Sequence, residues 1–359
     1  MKRNYGIDLL RVIAMLYVVI LHSLGAGGVL ETAAEGSITY KTAWAVEIAA
    51  FGAVNIFAII SGYVSYSETD KPINLKNYLS LWTQIVFYGV ILTVLFNFKY
   101  PADVSKRDLV EMIFPVTKEL YWYFTAYTGL FFVKPVIDRG VRSIKSGKIF
   151  LLVLILIFSF MDNLSDSFDF DKGYSFAWLT ILYMIGLLIK KENILQNSGK
   201  LYLLIMIVVL HFITWLWKMY FSFEGIKLFS LSKDTLIERY NSPTIVIASI
   251  LYVILFSKIN ISPKLYKIIE FFSTSCFTAY ILNCHRFVWS KIMTGLLSEY
   301  TIKYGVKVVL IAVLFSLCFV IVSVLIDKIR YLLFKLFMID RLFEKIDIKV
   351  KSLIYKKPN

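Results

Sequence analysis

Apolar residues in this chain come in long continuous runs, and the polar residues gather between them. About twenty apolar residues at 1.5 Å rise match a hydrocarbon core roughly 30 Å thick, so such runs predict membrane-spanning helices. Ten stretches qualify, at about 8–25, 43–66, 78–98, 120–137, 148–162, 175–189, 201–221, 243–257, 270–290 and 304–327. The expected fold class is all-α, a polytopic membrane protein of about ten transmembrane helices. The fifth, sixth and eighth stretches are short, so tilted or partly re-entrant segments are expected there. No repeat, low-complexity linker or second soluble domain interrupts the series.

The polar intervals alternate in charge. Arg139, Arg142, Lys145 and Lys148 follow the fourth stretch, Lys190, Lys191 and Lys200 the sixth, and Lys258, Lys264 and Lys267 the eighth. The opposite set includes an acidic loop at 162–171, a mixed loop at 222–241, and 99–119, where four acids balance four bases. Positive loops stay in the cytoplasm, which places both termini there. Two domains are expected: an integral-membrane unit at 1–327 and a basic tail at 328–359. The tail carries nine Lys or Arg residues, alternating with apolar ones at helical spacing. It predicts an amphipathic helix lying on the anionic inner leaflet.

Composition then excludes other classes. The 359 residues are 58% hydrophobic, more than a soluble domain of this length can bury. The net charge of +14 suggests nucleic acid only until the loops account for it. Cys276, Cys284 and Cys318 lie in apolar stretches without metal or disulfide spacing, so they read as packing residues and no metal site is expected. The N-terminal pattern resembles a secretory signal, but an uncleaved signal anchor is expected, because cleavage would discard the first stretch; the bilayer is the first expected partner.

Within the spans, polar residues are few. Arg11 and His22 are eleven residues apart, about three turns plus 20°, so they share one helix face about 16 Å apart along the axis. Ionisable groups at such depth cost about 2.5–3.5 kcal/mol on insertion scales and usually face a protein interior or a water-filled path. With the loop-derived orientation, Arg11 comes near the cytoplasmic face together with Ser61, Gly62 and Tyr63. His22 comes near the outer face together with His285, Tyr121, Trp122, Tyr123, Asn241 and Ser242. A guanidinium suits phosphate, an imidazole suits proton transfer from a hydroxyl, and Tyr and Trp suit sugar faces. Each residue also has a plainer use: Arg11 snorkelling, Tyr121 to Tyr123 as an interfacial belt, Ser61-Gly62 as a close helix contact, His211 as a buried hydrogen-bonded ring.

The run Gly6-Ile7-Asp8-Leu9-Leu10-Arg11, closing at His22, resembles the R-x10-H signature of the acyltransferase-3 family of integral-membrane acyltransferases. The second stretch from Asn55 to Ser61-Gly62-Tyr63 is similar to that family's second-helix motif. Leu120 to Phe124 with Lys134-Pro135 is similar to its fourth helix, Tyr240-Asn241-Ser242-Pro243 to a segment of members from Gram-positive bacteria, and Ser273 to Trp289 to its late Tyr-Leu-Ile-His stretch. In that late stretch Asn283 stands where many members have His, and His285 follows two residues on.

The resemblance implies acyl transfer from acetyl-CoA, with no permanently bound cofactor, to a hydroxyl of a glycan. Carried over, the catalytic residues are His22, Arg11 and His285. Arg11 would engage CoA or shape its path, and His22 would act as general base or relay the acyl group. Arg11, Ser61, Gly62 and Tyr63 would line the donor side. Tyr121, Trp122, Asn241 and Ser242 are the acceptor-binding candidates. The expected protein is an O-acetyltransferase of capsule, exopolysaccharide or a lipid-linked precursor in a bacterial cytoplasmic membrane, with glycan-assembly proteins as possible partners and no nucleic acid. A glycan transporter, flippase or polymerase is the competing expectation, and a non-catalytic membrane partner of a glycan-assembly complex a third.

Overall fold

The structure is a computed structural model. It describes residues 3–118, 120–162, 167–224 and 239–355, without the side chains of 220–224. Most of the mixed loop, part of the acidic loop and the end of the tail lie outside the described residues. Every apolar stretch read from the sequence is helical among them, and no strand occurs. Five helices are long and apolar enough to cross a membrane: Tyr5–Leu24, Ile38–Ser65, Leu75–Lys99, Lys200–Met219 and Lys307–Leu336. Gly147–Met161 and Pro243–Ser257 are shorter apolar helices. Exposed leucine, isoleucine, valine and phenylalanine cover the outward faces of Lys200–Met219 and Lys307–Leu336. An apolar surface of that extent is stable against lipid, not water. The molecule is an all-α polytopic membrane protein.

Helix starts follow from local chemistry. Asn4, Ser37, Asn74, Ser105 and Ser175 each accept the backbone N–H three residues on, satisfying donors that a helix N-terminus leaves open. Asn74 thereby fixes the start of Leu75–Lys99, which becomes important at one of the cavities below.

The first helix is central. It packs against Ile38–Ala50, Ala53–Ser65, Pro243–Ser257, Tyr266–Ser273, Phe277–Asn283 and Lys307–Leu336. The tightest helix pair is Ala53–Ser65 with Phe176–Lys191, where Gly62 and Gly186 meet. A Cβ on Gly62 would fall 3.0 Å from the Gly186 Cα and 2.9 Å from the Leu187 nitrogen, and it would overlap the Tyr183 carbonyl. Only glycine lets two backbones approach this closely. A buried polar network joins the other side. Gln84 Nε2 donates to Thr278 (2.8 Å) and to Asp327 (3.0 Å), Tyr88 donates to Asp327 (3.1 Å), and Arg330 pairs with the same carboxylate (2.7 Å).

Three expectations are refined. The second stretch starts at Ile38 and breaks at Phe51–Gly52, where the helix Ile38–Ala50 gives way to Ala53–Ser65. The ninth is not one helix: it runs Tyr266–Ser273, Phe277–Asn283 and, after extended His285, Arg286–Val288 with a wide π-turn over Trp289–Met293. Irregular backbone at membrane depth is tolerated where protein surrounds it, as here. The tenth helix does not stop near 327 but continues to Leu336. Left-handed Met338 (φ 54°) then turns the chain into a second, amphipathic helix, Ile339–Ile354.

Candidate active site

The first helix carries Arg11 and His22 into two different cavities. The His22 cavity, about 370 Å³, is lined mainly by aromatic and apolar side chains, among them Phe57, Trp122, Tyr123, Tyr174, Tyr240 and Trp289, with Glu47 as an acidic member. The Arg11 cavity, about 600 Å³, is polar and basic: Arg11, Lys71, Lys134 and Lys351 line it beside one carboxylate, Asp138, with Ser61, Asn74 and Asn77. The two share no lining residue. Their walls are nevertheless continuous along three helices. Arg11 and Met15, Ser61 and Phe57, Tyr127 and Tyr123 are pairs four residues apart, one member in each cavity. Four residues are about one turn, so the cavities are stacked about 6 Å apart at these helices.

His22 is held in a defined way. Its Nδ1 faces Asn283 Oδ1, and Asn283 Nδ2 points to Met293 Sδ at 3.4 Å, which orients the amide. An amide oxygen only accepts, so in the neutral ring Nδ1 carries the proton and Nε2 keeps its lone pair. The Trp289 ring meets the imidazole edge-on, centroids 4.9 Å apart. Cys284 Sγ is 3.9 Å from Nδ1 and lines the cavity, so this cysteine is not a buried packing residue as its apolar stretch suggested, whereas Cys276 is buried. The segment after Cys284 is anchored by Arg286, which pairs with Asp108 and Glu111 of the short helix Lys106–Ile113. Burial alone would raise the Asp108 carboxyl. Donors from Ser105 and the Arg286 charge outweigh it and hold Asp108 below the usual carboxylate range.

His285 lies elsewhere. It is fully buried, and its Nε2 is 3.3 Å from both Thr93 Oγ1 and the Gly89 carbonyl, facing the helix Leu75–Lys99 rather than either cavity. The break at Cys284 separates Asn283, turned to His22, from His285, turned away.

The remaining candidates divide. Trp122 and Tyr123 line the His22 cavity, whereas Tyr121 is buried beside it and donates to the Ile281 carbonyl at 3.3 Å. Tyr240 lines that cavity, but Asn241 and Ser242 do not. Asn241 Nδ2 donates to Asp162 at 2.6 Å, and the Asn241 backbone carbonyl accepts from Ser159. Ser61 lines the Arg11 cavity, while Gly62 serves the helix contact and Tyr63 lies under the Lys190 ammonium, 5.1 Å from ring centre to nitrogen. Lys134 lines the Arg11 cavity and donates to Ser65 at 2.8 Å. His211 meets the Tyr252 hydroxyl at 3.3 Å and lines neither cavity.

Sequence reasoning missed two positioning residues. Asn283 entered only as a departure from a pattern, and its role depends on a contact across 261 positions. Asn55 opened a motif without a role. Its side chain donates to the Tyr240 carbonyl (2.7 Å) and accepts from Trp178 (3.3 Å), so it fixes Tyr240 in the cavity wall.

Arg11 itself is half-exposed at its cavity. Its Nη1 pairs with Asp8, which Arg3 also holds at 2.5 Å, so Asp8 fixes the guanidinium from one side. Nε and Nη2 have no partner among the described residues. The basic cavity can hold a phosphate-bearing ligand, and the aromatic one can hold a ring with hydroxyls beside a base. A family model described as an acyltransferase domain matches residues 4–328. No curated protein and no solved structure matches the chain.

Proposed function

The chain belongs to the acyltransferase-3 family and is a membrane acyltransferase, and from that premise we propose that it moves an acetyl group from acetyl-CoA to a hydroxyl of a surface polysaccharide, capsule or exopolysaccharide, or of its lipid-linked precursor. The observation that carries this reading is the one-turn stacking of a cationic cavity on an aromatic cavity that contains an oriented imidazole. The basic cavity faces the cytoplasm of a bacterial cell in this reading. Arg11, Lys71 and Lys134 hold the phosphates of CoA, and Ser61 lines the entry of the pantetheine arm. The arm passes between the paired turns and brings the thioester carbonyl towards His22. An offset of about 16 Å between Arg11 and His22 is a span that an extended arm covers.

At the other end Trp122, Tyr123, Tyr240 and Trp289 hold the sugar. Nε2 of His22 takes the proton of the acceptor hydroxyl, and the oxygen attacks the thioester carbonyl. The C–O bond forms, the C–S bond breaks, and the departing CoA sulfur takes up a proton. Asn283 positions the base. Asn283→Ala is expected to lower kcat at least about tenfold while CoA affinity stays as in the wild type, since losing the group that sets a catalytic tautomer costs up to ~10⁴ in a catalytic triad. Turnover measured at saturating donor, together with CoA binding, checks this.

The broken ninth segment favours the second reading, a glycan transporter, because substrate sites of transporters sit on such breaks. Membranes containing the protein, given acetyl-labelled acetyl-CoA and the purified polysaccharide, separate the two. Label appearing in the polysaccharide as a base-labile ester is the expected result. Glycan crossing the membrane with no ester formed would overturn it.

A further inference from the structure

The Arg11 cavity is closed on one side by a residue that the family match does not reach. Lys351 lines it, from the helix Ile339–Ile354, and the matched segment ends at residue 328. The amphipathic tail, expected on the inner leaflet, also docks on the cavity rim. Asp347 accepts the Leu75 backbone N–H at 2.8 Å, a donor that the helix start leaves open. The Tyr355 hydroxyl accepts the Ile73 N–H at 3.2 Å, and Glu344 pairs with Lys76 at 3.4 Å. The rim segment held in this way, 71–77, itself contributes Lys71, Pro72, Ile73, Asn74 and Asn77 to the cavity. Lys351 is oriented by Asp347 at 2.6 Å, and an ammonium with three protons keeps donors for a second acceptor.

We propose that the tail helix completes the acyl-donor site, with Lys351 as a further cation for the donor's phosphates and Asp347 and Tyr355 as positioning residues for the rim. This rests on the donor reading of the Arg11 cavity given above. Leu342, Ile346, Leu353 and Ile354 remain exposed on the same helix, so it can stay seated in the interface while Lys351 faces inward. Lys349, two residues earlier on the same helix, is exposed and lines neither the Arg11 cavity nor the His22 cavity, and it serves as an internal reference.

The test uses the full chain in lipid nanodiscs, with CoA itself as the probe in a calorimetric titration. Lys351→Gln is expected to raise the CoA Kd about tenfold, the worth of one charge-assisted contact. It should raise the KM for acetyl-CoA with kcat unchanged, and Lys351→Arg should restore most of the affinity. Lys349→Gln removes the same charge from the same helix and should leave both values as in the wild type. Equal CoA affinity in wild type and Lys351→Gln overturns the role of Lys351 while leaving the donor reading in place. Equal weakening by both Gln variants overturns it too, since the effect would then be one of leaflet charge. A wild type that binds no CoA overturns both readings together.

Discussion

His22→Ala is expected to lower acyl transfer about a thousandfold while leaving CoA binding unchanged. General-base assistance is worth about 10²–10⁴ in rate, and the imidazole has no substitute in its cavity. Glu47 is the one carboxylate among the cavity's described lining residues, the other titratable groups there are tyrosines and Cys284, and no histidine but His22 lines it. The affinity for CoA should survive because the cations proposed to hold its phosphates line the other cavity, about 16 Å along the first helix. Turnover with labelled acetyl-CoA, paired with a CoA titration on the same preparation, checks both halves. His285→Ala gives the contrast. That ring is buried against Thr93 and Gly89, so its loss should reduce the yield of folded protein and not the rate per folded molecule. Equal loss of turnover per folded molecule in the two variants would contradict the assignment of the base to His22.

Gly62→Leu is expected to abolish the folded state. The position has no room for a Cβ, because the Tyr183 carbonyl, the Leu187 nitrogen and the Gly186 Cα are backbone atoms that no rotamer change can move. Overpacking a core costs about 1–3 kcal/mol when side chains can yield, and more when backbones must part. The two helices would separate, taking with them Ser61 at one cavity and Phe57 at the other. Size-exclusion profiles and thermal melts in detergent should show aggregation or a midpoint lowered by well over 5 °C. Ser61→Ala, one residue earlier, should leave the melt unchanged and affect only the KM for the donor.

How much of this was legible in the sequence depended on what each signal reports. Hydropathy reports burial in lipid or protein, so the apolar stretches it marks are helical. The break in the ninth stretch was not legible, because no glycine or proline lies between Ser273 and Arg286 and the interruption comes from packing. Charge and periodicity placed Arg11 and His22 on one face, and they line two stacked cavities as a shared face requires. Gly62 was read both as a close helix contact and, from the resemblance, on the donor side, because a glycine announces a close approach without saying of what. Here the partner is Gly186. Tyr121, Trp122 and Tyr123 differ by 100° steps at the start of a helix, and the last two turned to the cavity. Asn241 and Ser242 are adjacent to a cavity residue, Tyr240, but Asp162 and Ser159 take Asn241 into the interior. The tail's apolar and basic alternation was visible, but Asp347 as an acceptor for Leu75 depends on a contact between positions 272 apart.

The paired turns have an electrical consequence. With water in both cavities, the membrane's potential falls mainly across a partition about one helical turn thick instead of ~30 Å of hydrocarbon. A charge crossing that partition exchanges about 2.3 kcal/mol per 100 mV with the field. On the proposed reading, a neutral acetyl group would cross at no electrical cost, whereas the phosphates of its carrier would stay on the side where Arg11 and its neighbouring lysines line the cavity. On that reading the partition would be charge-selective, passing a neutral acyl group while the membrane voltage is maintained.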